Sequence, residues 1–287
     1  MNRLLTRNRH LTQRIGFAII TMMAFATVIP IVAVVIYIFI QGWSAISTEF
    51  LTTFPTNGMR AGGIYPAIIG TVVLTFVAAI FVVPLGIAAA IYLAEYARDT
   101  KLTRAIRISI INLAGIPSVV YGLFGLGLFV LFLKFGTSIL AASLTLAIMT
   151  LPVVISTSEE ALRSVPQGFR TVSISLGATR WQTIRRIVLK EALPGILTGV
   201  ILGLERAAGE TAPILFTGAV FFLPTLPTSI FDPTMALPYH LFVISTQIPE
   251  MPVSIQYGTA LVLLFFVLTL NLIATVIRSR ARAKRQW

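Results

Sequence analysis

The sequence predicts an all-α integral membrane protein with six transmembrane helices and both termini cytoplasmic. Three observations carry that prediction. Only 11% of the 287 residues are charged and 56% are apolar, whereas a soluble domain carries about 25% charged residues to keep its surface hydrated. The few charges are spaced so that long uncharged runs lie between them. The basic residues, threaded from an inside N-terminus, collect on one side of the membrane.

The runs place the spans. Arg14 to Glu49 encloses 34 uncharged residues, Arg60 to Glu95 another 34, Arg107 to Lys134 26, Lys134 to Glu159 24 and Glu250 to Arg278 27. Each is long enough to cross ~30 Å of hydrocarbon as a helix, the form that satisfies every backbone group internally. They give spans at residues 16–40, 66–93, 108–132, 138–158 and 256–277. A further apolar segment is interrupted by Glu205, Arg206 and Glu210 and reads as a fifth span, 193–222. Ala24-Phe25-Ala26 looks like a signal-peptide cleavage site, but the apolar run continues to Ile40. That is too long for a signal sequence and predicts an uncleaved anchor. Residues 1–15 and 278–287 are then basic cytoplasmic tails.

Nineteen of the 22 Lys and Arg residues fall in the tails and in the two connections predicted to face the cytoplasm. The exceptions are Arg60, Lys134 and Arg206. The net charge of +12 is thus a topology signal. Membrane lipid is the natural contact for the basic ends, and no nucleic-acid partner is needed.

Much chemistry is excluded. There is no cysteine, so no thiolate nucleophile or disulfide. Lys101, Lys134, Lys190 and Lys284 follow Thr, Leu, Leu and Ala, so no Gly-Lys of a phosphate loop exists. His10 and His240 are predicted on opposite sides of the membrane, and neither a His-Glu-x-x-His nor a Gly-x-Ser-x-Gly is present. Gly122-Leu-Phe-Gly125-Leu-Gly127 lies in a span and reads as a close helix-packing surface. No catalytic residue, metal site or cofactor is predicted.

Two places stand out. In the connection 159–194, Pro166 can open a helix, and Phe169, Val172 and Leu176 share one face. Gly177 suits a left-handed helix stop. Thr179 and Gln182 form a capping box that restarts a second helix, with Trp181, Ile184, Ile187 and Val188 on its apolar side. Two short amphipathic helices result. Physics alone favours helices lying on the anionic leaflet, over a docking element for a cytoplasmic partner. The second place is Leu204-Glu-Arg206-Ala-Ala-Gly209-Glu210-Thr211-Ala-Pro213. Arg206 and Glu210 are spaced to pair on one helix face, and Pro213 bends the helix. Charges inside a span are costly and by default mark an ion or substrate pathway, with an interior ion pair as the alternative.

Together these places resemble the phosphate-specific branch of ABC importer permeases. Gly177 followed by Ile187-Val-Leu189 looks like that family's cytoplasmic EAA loop. Glu159-Glu-Ala-Leu-Arg-Ser-Val-Pro166, Leu176-Gly-Ala-Thr-Arg-Trp-Gln-Thr183, Gly115-Ile-Pro-Ser-Val-Val-Tyr-Gly-Leu-Phe-Gly125 and Gly209-Glu-Thr-Ala-Pro213 match that branch, the last pointing to its A-type subunit. The resemblance spans residues 66–277. It departs at Thr171-Val172-Ser173, where the loop's Glu-Ala-Ala is expected, and at Lys190, where many members have proline. The helix–turn–helix shape is therefore implied, and an acidic contact from position 171 is not.

The resemblance implies a type I ABC importer permease fold in a bacterial or archaeal plasma membrane. The chain would form half of a phosphate pathway beside a C-type permease subunit, with a cytoplasmic ABC ATPase dimer and an extracytoplasmic phosphate-binding protein. Segment 163–186 becomes the coupling helix, with Arg170, Leu176, Gly177, Ala178, Thr179, Trp181 and Ile187 as its ATPase-coupling residues. Arg206 would meet inorganic phosphate, Glu210 would compete for Arg206, and Thr211 would add a hydroxyl. The proline-rich segment 223–256 is open to two readings, an irregular surface loop or a dock for the binding protein. Alternatives of function are a permease for sulfate, molybdate or phosphonate, and a membrane scaffold without transport.

Overall fold

The computed structural model describes residues 2–283, with side chains from 13 to 280. The described chain is mostly helical, with one two-stranded hairpin, Pro55–Thr56 (β1) with Ala61–Gly62 (β2), and an irregular stretch over 218–236 that carries a single bridge between Ala219 and Thr234.

α1 (Asn2–Gly42) is a 41-residue helix, about 60 Å long at ~1.5 Å per residue, so it outruns the hydrocarbon it crosses. A 3-10 turn and the short α2 (Thr48–Thr52) lead through the hairpin to α3 (Tyr65–Ile91), which continues as a π turn to Tyr96. α4 (Lys101–Ala114) and α5 (Ser118–Gly125, prolonged by a π segment to Phe132) follow. α6 (Ile139–Arg163) precedes the short α7 (Gln167–Ser175). α8 (Arg180–Thr183) then runs through a π turn into α9 (Leu189–Gly209). α10 (Ala212–Thr217), α11 (Leu237–Thr246) and α12 (Val253–Ala283) complete the fold.

Among the described residues five helices are long and apolar enough to cross a membrane, and a sixth if α4 and α5 count as one broken span. α6 is the centre of the bundle, lying between α3 and α9. Its buried face carries Ala142, Leu146, Met149, Val154 and Leu162. Small residues make the approach close: a Cβ added to Gly199 on α9 would overlap the Thr157 side chain, and one on Gly195 would press on Ala161. Without a hydrophobic force between helices in lipid, such close van der Waals contact is what holds them. α1 is exposed along nearly its whole described length and packs on α12 near Gly42, where a side chain would strike the Tyr257 backbone.

Three sequence expectations need correction. The third span, expected at 108–132, is two helices meeting at 100°. The break is Gly115-Ile116-Pro117, where proline pushes the preceding residue out of the helical region; a charge-free run carries no sign of it. The fifth span, expected at 193–222, instead starts at Arg180 and ends at Gly209. Consequently the second short amphipathic helix does not exist as a separate unit: it is the polar beginning of that span.

The third correction concerns 223–256, which is no ordinary surface loop. Met235, Leu237, Val243 and Ile244 are completely buried. The Leu237 N–H donates to Thr71 Oγ1 at 2.8 Å, and the Met235 carbonyl fits against Gly70 on α3, where a Cβ has no room. At its rim the Asp232 carboxylate accepts the Thr228 and Ser229 N–H groups, both at 2.8 Å, which keeps its pKa below the usual carboxylate value.

Candidate functional site: a broken span and a charged clasp

Pro213 has no N–H to offer the Gly209 carbonyl, so α9 cannot continue through it. The chain leaves the helix at Glu210, which is extended (φ −77°, ψ 135°), and restarts as α10 two residues later. Arg206 and Glu210 do meet, Nε to Oε1 at 3.3 Å. They meet across a helix end, however, and not along one helix face as their spacing suggested. The pair is loose and open: the Arg206 side chain remains 34% exposed and that of Glu210 18%.

The surroundings are built from the other motif. Gly122 and Gly125 on α5 face α10, where a side chain at Gly122 would meet Phe216 and the Ala212 carbonyl, and one at Gly125 would meet Thr145 and Thr217. Close packing at these two glycines agrees with the sequence reading, whereas Gly127 faces open space. The Tyr121 hydroxyl donates to the Leu113 carbonyl at 2.7 Å and lies within electrostatic reach of Arg206. Thr211 is half-buried at the start of α10. Glu205, next to Arg206 in sequence, turns elsewhere: its Oε2 accepts from the Asn271 amide of α12 at 3.1 Å.

The opposite end of the bundle, rich in basic residues, is held by two tight clusters. Glu95, at the end of α3, receives Arg170 from α7, with Nη2 to Oε1 at 2.6 Å and Nε to both carboxylate oxygens at 3.2 Å. The same guanidinium caps α6 by donating to the Leu162 and Val165 carbonyls at 2.9 and 2.7 Å. Arg180 donates to the Glu95 carbonyl and stacks over Tyr96, 5.0 Å from the ring centre. In the second cluster Glu159 holds Arg107 at 2.7 Å and Arg163 at 3.0 Å.

Arg170 is therefore held in a clasp with its side chain 13% exposed, while its neighbours on the same segment face outward. Leu176 is 83% exposed and Trp181 52%. Gly177 has φ +86°, the left-handed stop expected of it. Thr179 Oγ1 accepts from the Gln182 N–H while Gln182 Oε1 accepts from the Thr179 N–H, so the capping box is present. Ser173 and Thr183 tie the two helices by a hydroxyl contact of 2.9 Å. Ala178 and Ile187 line an apolar groove of about 530 Å³ together with Phe169, Val172 and Leu176. Pro166 precedes α7 instead of being its first residue.

Glu95 and Arg107 entered the sequence reading only as charges bounding spans or as topology markers, and Glu159 besides only as the start of a family motif, with no partner foreseen for any of them. Their signal was an acid at the lip of a span in a connection otherwise dominated by bases, which charge neutralisation across helices would explain.

The family described as "Binding-protein-dependent transport system inner membrane component" matches residues 82–283, from the middle of α3 to the end of α12. The chain belongs to that family. This permease is 34% identical over 280 residues to the "Probable ABC transporter permease protein YqgI" of Bacillus subtilis, covering 93% of this chain and 95% of the relative. It is 37% identical over 263 residues to the "Phosphate transport system permease protein PstA 1" of Mycobacterium tuberculosis, covering 90% and 84%. Among solved structures, a bacterial alginate ABC transporter in complex with its alginate-bound periplasmic protein superposes with a TM-score of 0.64 at 17% identity, over 90% of this chain and 94% of that one. That likeness establishes the type I importer permease fold. The chain is a multi-pass membrane transport component.

Proposed function

We propose that this permease is the A-type transmembrane subunit of an ATP-driven inorganic phosphate importer. The observation that carries the reading is the open Arg206–Glu210 pair at the break of the fifth span. A guanidinium kept in a membrane span is expensive, and its planar fork matches two phosphate oxygens. The loose contact with Glu210 leaves donors for an anion. The similarity to permeases named for phosphate transport supports phosphate over sulfate, molybdate and phosphonate.

Arg206 attracts the anion, Glu210 competes for Arg206 when the path is empty, and Thr211 supplies a hydroxyl near the break. A permanently free cation would trap phosphate, whereas a switchable pair permits release. The face that exposes Arg206 pairs with a C-type permease, both termini are cytoplasmic, and an extracytoplasmic phosphate-binding protein delivers the anion to the opposite side in the plasma membrane. A dimeric ABC ATPase receives the segment bearing Leu176 and Trp181. Because α8, the π turn and α9 form one continuous rod, movement of that segment reaches Arg206 directly.

Uptake of labelled phosphate into vesicles carrying the full complex tests the assignment. Sulfate, molybdate and phosphonate present in excess should fail to compete. Strong competition by any of them would transfer the assignment to that oxyanion, and ATPase activity insensitive to loaded binding protein would favour a scaffold.

A further inference from the structure

α4 is not accounted for by transport or by coupling. It meets α5 at 100°, so the two helices cannot both stand along the membrane normal. Composition decides which one does. From Ser118 to Phe132 there is no charge, whereas α4 carries Lys101, Arg104 and Arg107 and no acid.

One side of α4 is fixed to the bundle. Arg107 pairs with Glu159 at 2.7 Å and donates to the Leu93 carbonyl at 2.8 Å, and Thr103 is buried. The rest faces outward. Leu102 (71% exposed), Ile106 (40%) and Leu113 (41%) share one stripe by their spacing of 4 and 11 residues, while Ile108 (51%) and Ile111 (62%) extend the exposed apolar surface to the far side of the helix in its C-terminal half. Arg98, Lys101 and Arg104 are exposed around the first turns and form no ion pair among the described residues, and the one acid beside them, Asp99, is itself exposed. This is the layout of a helix lying in an interface, with apolar side chains in the acyl boundary and cations at the headgroups.

We propose that α4 is an interfacial helix that binds the anionic phosphate headgroups of the cytoplasmic leaflet through Arg98, Lys101 and Arg104. The inference rests on the proposed orientation with the basic connections inside. The leaflet is favoured over a protein partner by the charge pattern: unpaired cations flank an apolar stripe, and the outward surface suited to the ATPase, at Leu176 and Trp181, lies on a different segment. Lipid held there would fix the elbow at Gly115–Pro117 and so the entry angle of α5.

The absence of native cysteine permits single spin labels at Leu102→Cys, Arg104→Cys and Ile106→Cys in the assembled complex, in nanodiscs with or without phosphatidylglycerol. The labels at 102 and 106 should be open to oxygen and closed to a water-soluble nickel reagent, and the label at 104 should sit at headgroup depth. Phosphatidylglycerol should be enriched about five-fold over phosphatidylcholine around the 102 label, and Lys101→Gln/Arg104→Gln should bring that ratio towards one. A label at 102 closed to both reagents, open to water, or with an enrichment indifferent to the double substitution would overturn the proposal. Phosphate uptake measured on the same complexes separates this outcome from a failure of the transport reading, because label accessibility does not depend on the substrate carried.

Discussion

The two ends of one rod treat charge in opposite ways. At the Arg180 end, Glu95 is 8% exposed and is gripped at 2.6 Å by a guanidinium that also caps α6. At the Gly209 end, 30 residues along the helix that begins at Arg180, Arg206 and Glu210 touch at 3.3 Å with a third of the Arg206 side chain (34%) exposed. A nearly buried pair with every donor used is a fixture: it sets geometry, and breaking it strands a charge. A loose, partly exposed pair in a span retains the capacity to exchange its partner. The same chemistry thus marks a structural joint at one end and a candidate transport element at the other, and hydrogen-bond saturation tells them apart.

The strongest challenge to that contrast is Arg206→Gln. It should reduce phosphate uptake at least 100-fold with complex assembly unchanged, and Arg206→Lys should retain partial activity because charge survives but the fork does not; normal uptake by the Gln variant refutes the transport role. Next, Arg170→Glu should destabilise the permease by about 3–5 kcal/mol, the cost of an unpaired buried charge, read as a lowered unfolding midpoint in detergent. The double exchange Glu95→Arg/Arg170→Glu should recover part of that loss. If Arg170→Glu instead leaves stability unchanged and only uncouples ATP hydrolysis, the clasp is not a fixture.

Between these lies the exposed surface. Leu176→Asp should leave stability within about 0.5 kcal/mol, as for an ordinary surface change, yet lower ATPase-driven uptake roughly ten-fold if the side chain fills an ATPase groove. An unaltered coupling ratio would remove Leu176 from the contact. The smallest effect concerns pH. His240 on α11 is buried, which lowers its pKa from 6.5 to about 4. The folded state therefore resists protonation: this group's contribution is complete above pH 6.5 and declines as pH falls from 6.5 towards 4. His240→Phe should flatten that part of the stability–pH curve, measured by thermal unfolding in detergent.

Some of this was legible locally. Thr179 and Gln182 sit three residues apart and cap the helix as read, and Gly177 takes the left-handed turn its position demanded. The Arg206–Glu210 contact was also anticipated, since four residues bring two side chains within reach even when the helix ends between them. The clasp was not legible, because Glu95 and Arg170 lie 75 residues apart and nothing near either names the other. The fold-back of 223–256 escaped for a similar reason. Its prolines signal irregular backbone, but that the backbone docks on Gly70 and Thr71 depends on space that α3 leaves open.

The sequence by itself determined how many apolar segments there are and where basic residues gather, because hydropathy and charge are summed over neighbours in the chain. It also determined the family, through short motifs whose residues act together locally. Tertiary structure alone decided that Gly115–Pro117 turns one expected span into an elbow, that the fifth span begins in the polar connection and stops at Gly209, and which acid holds which base. Those outcomes turn on packing and on hydrogen-bond partners supplied by distant helices, which a linear reading cannot sum.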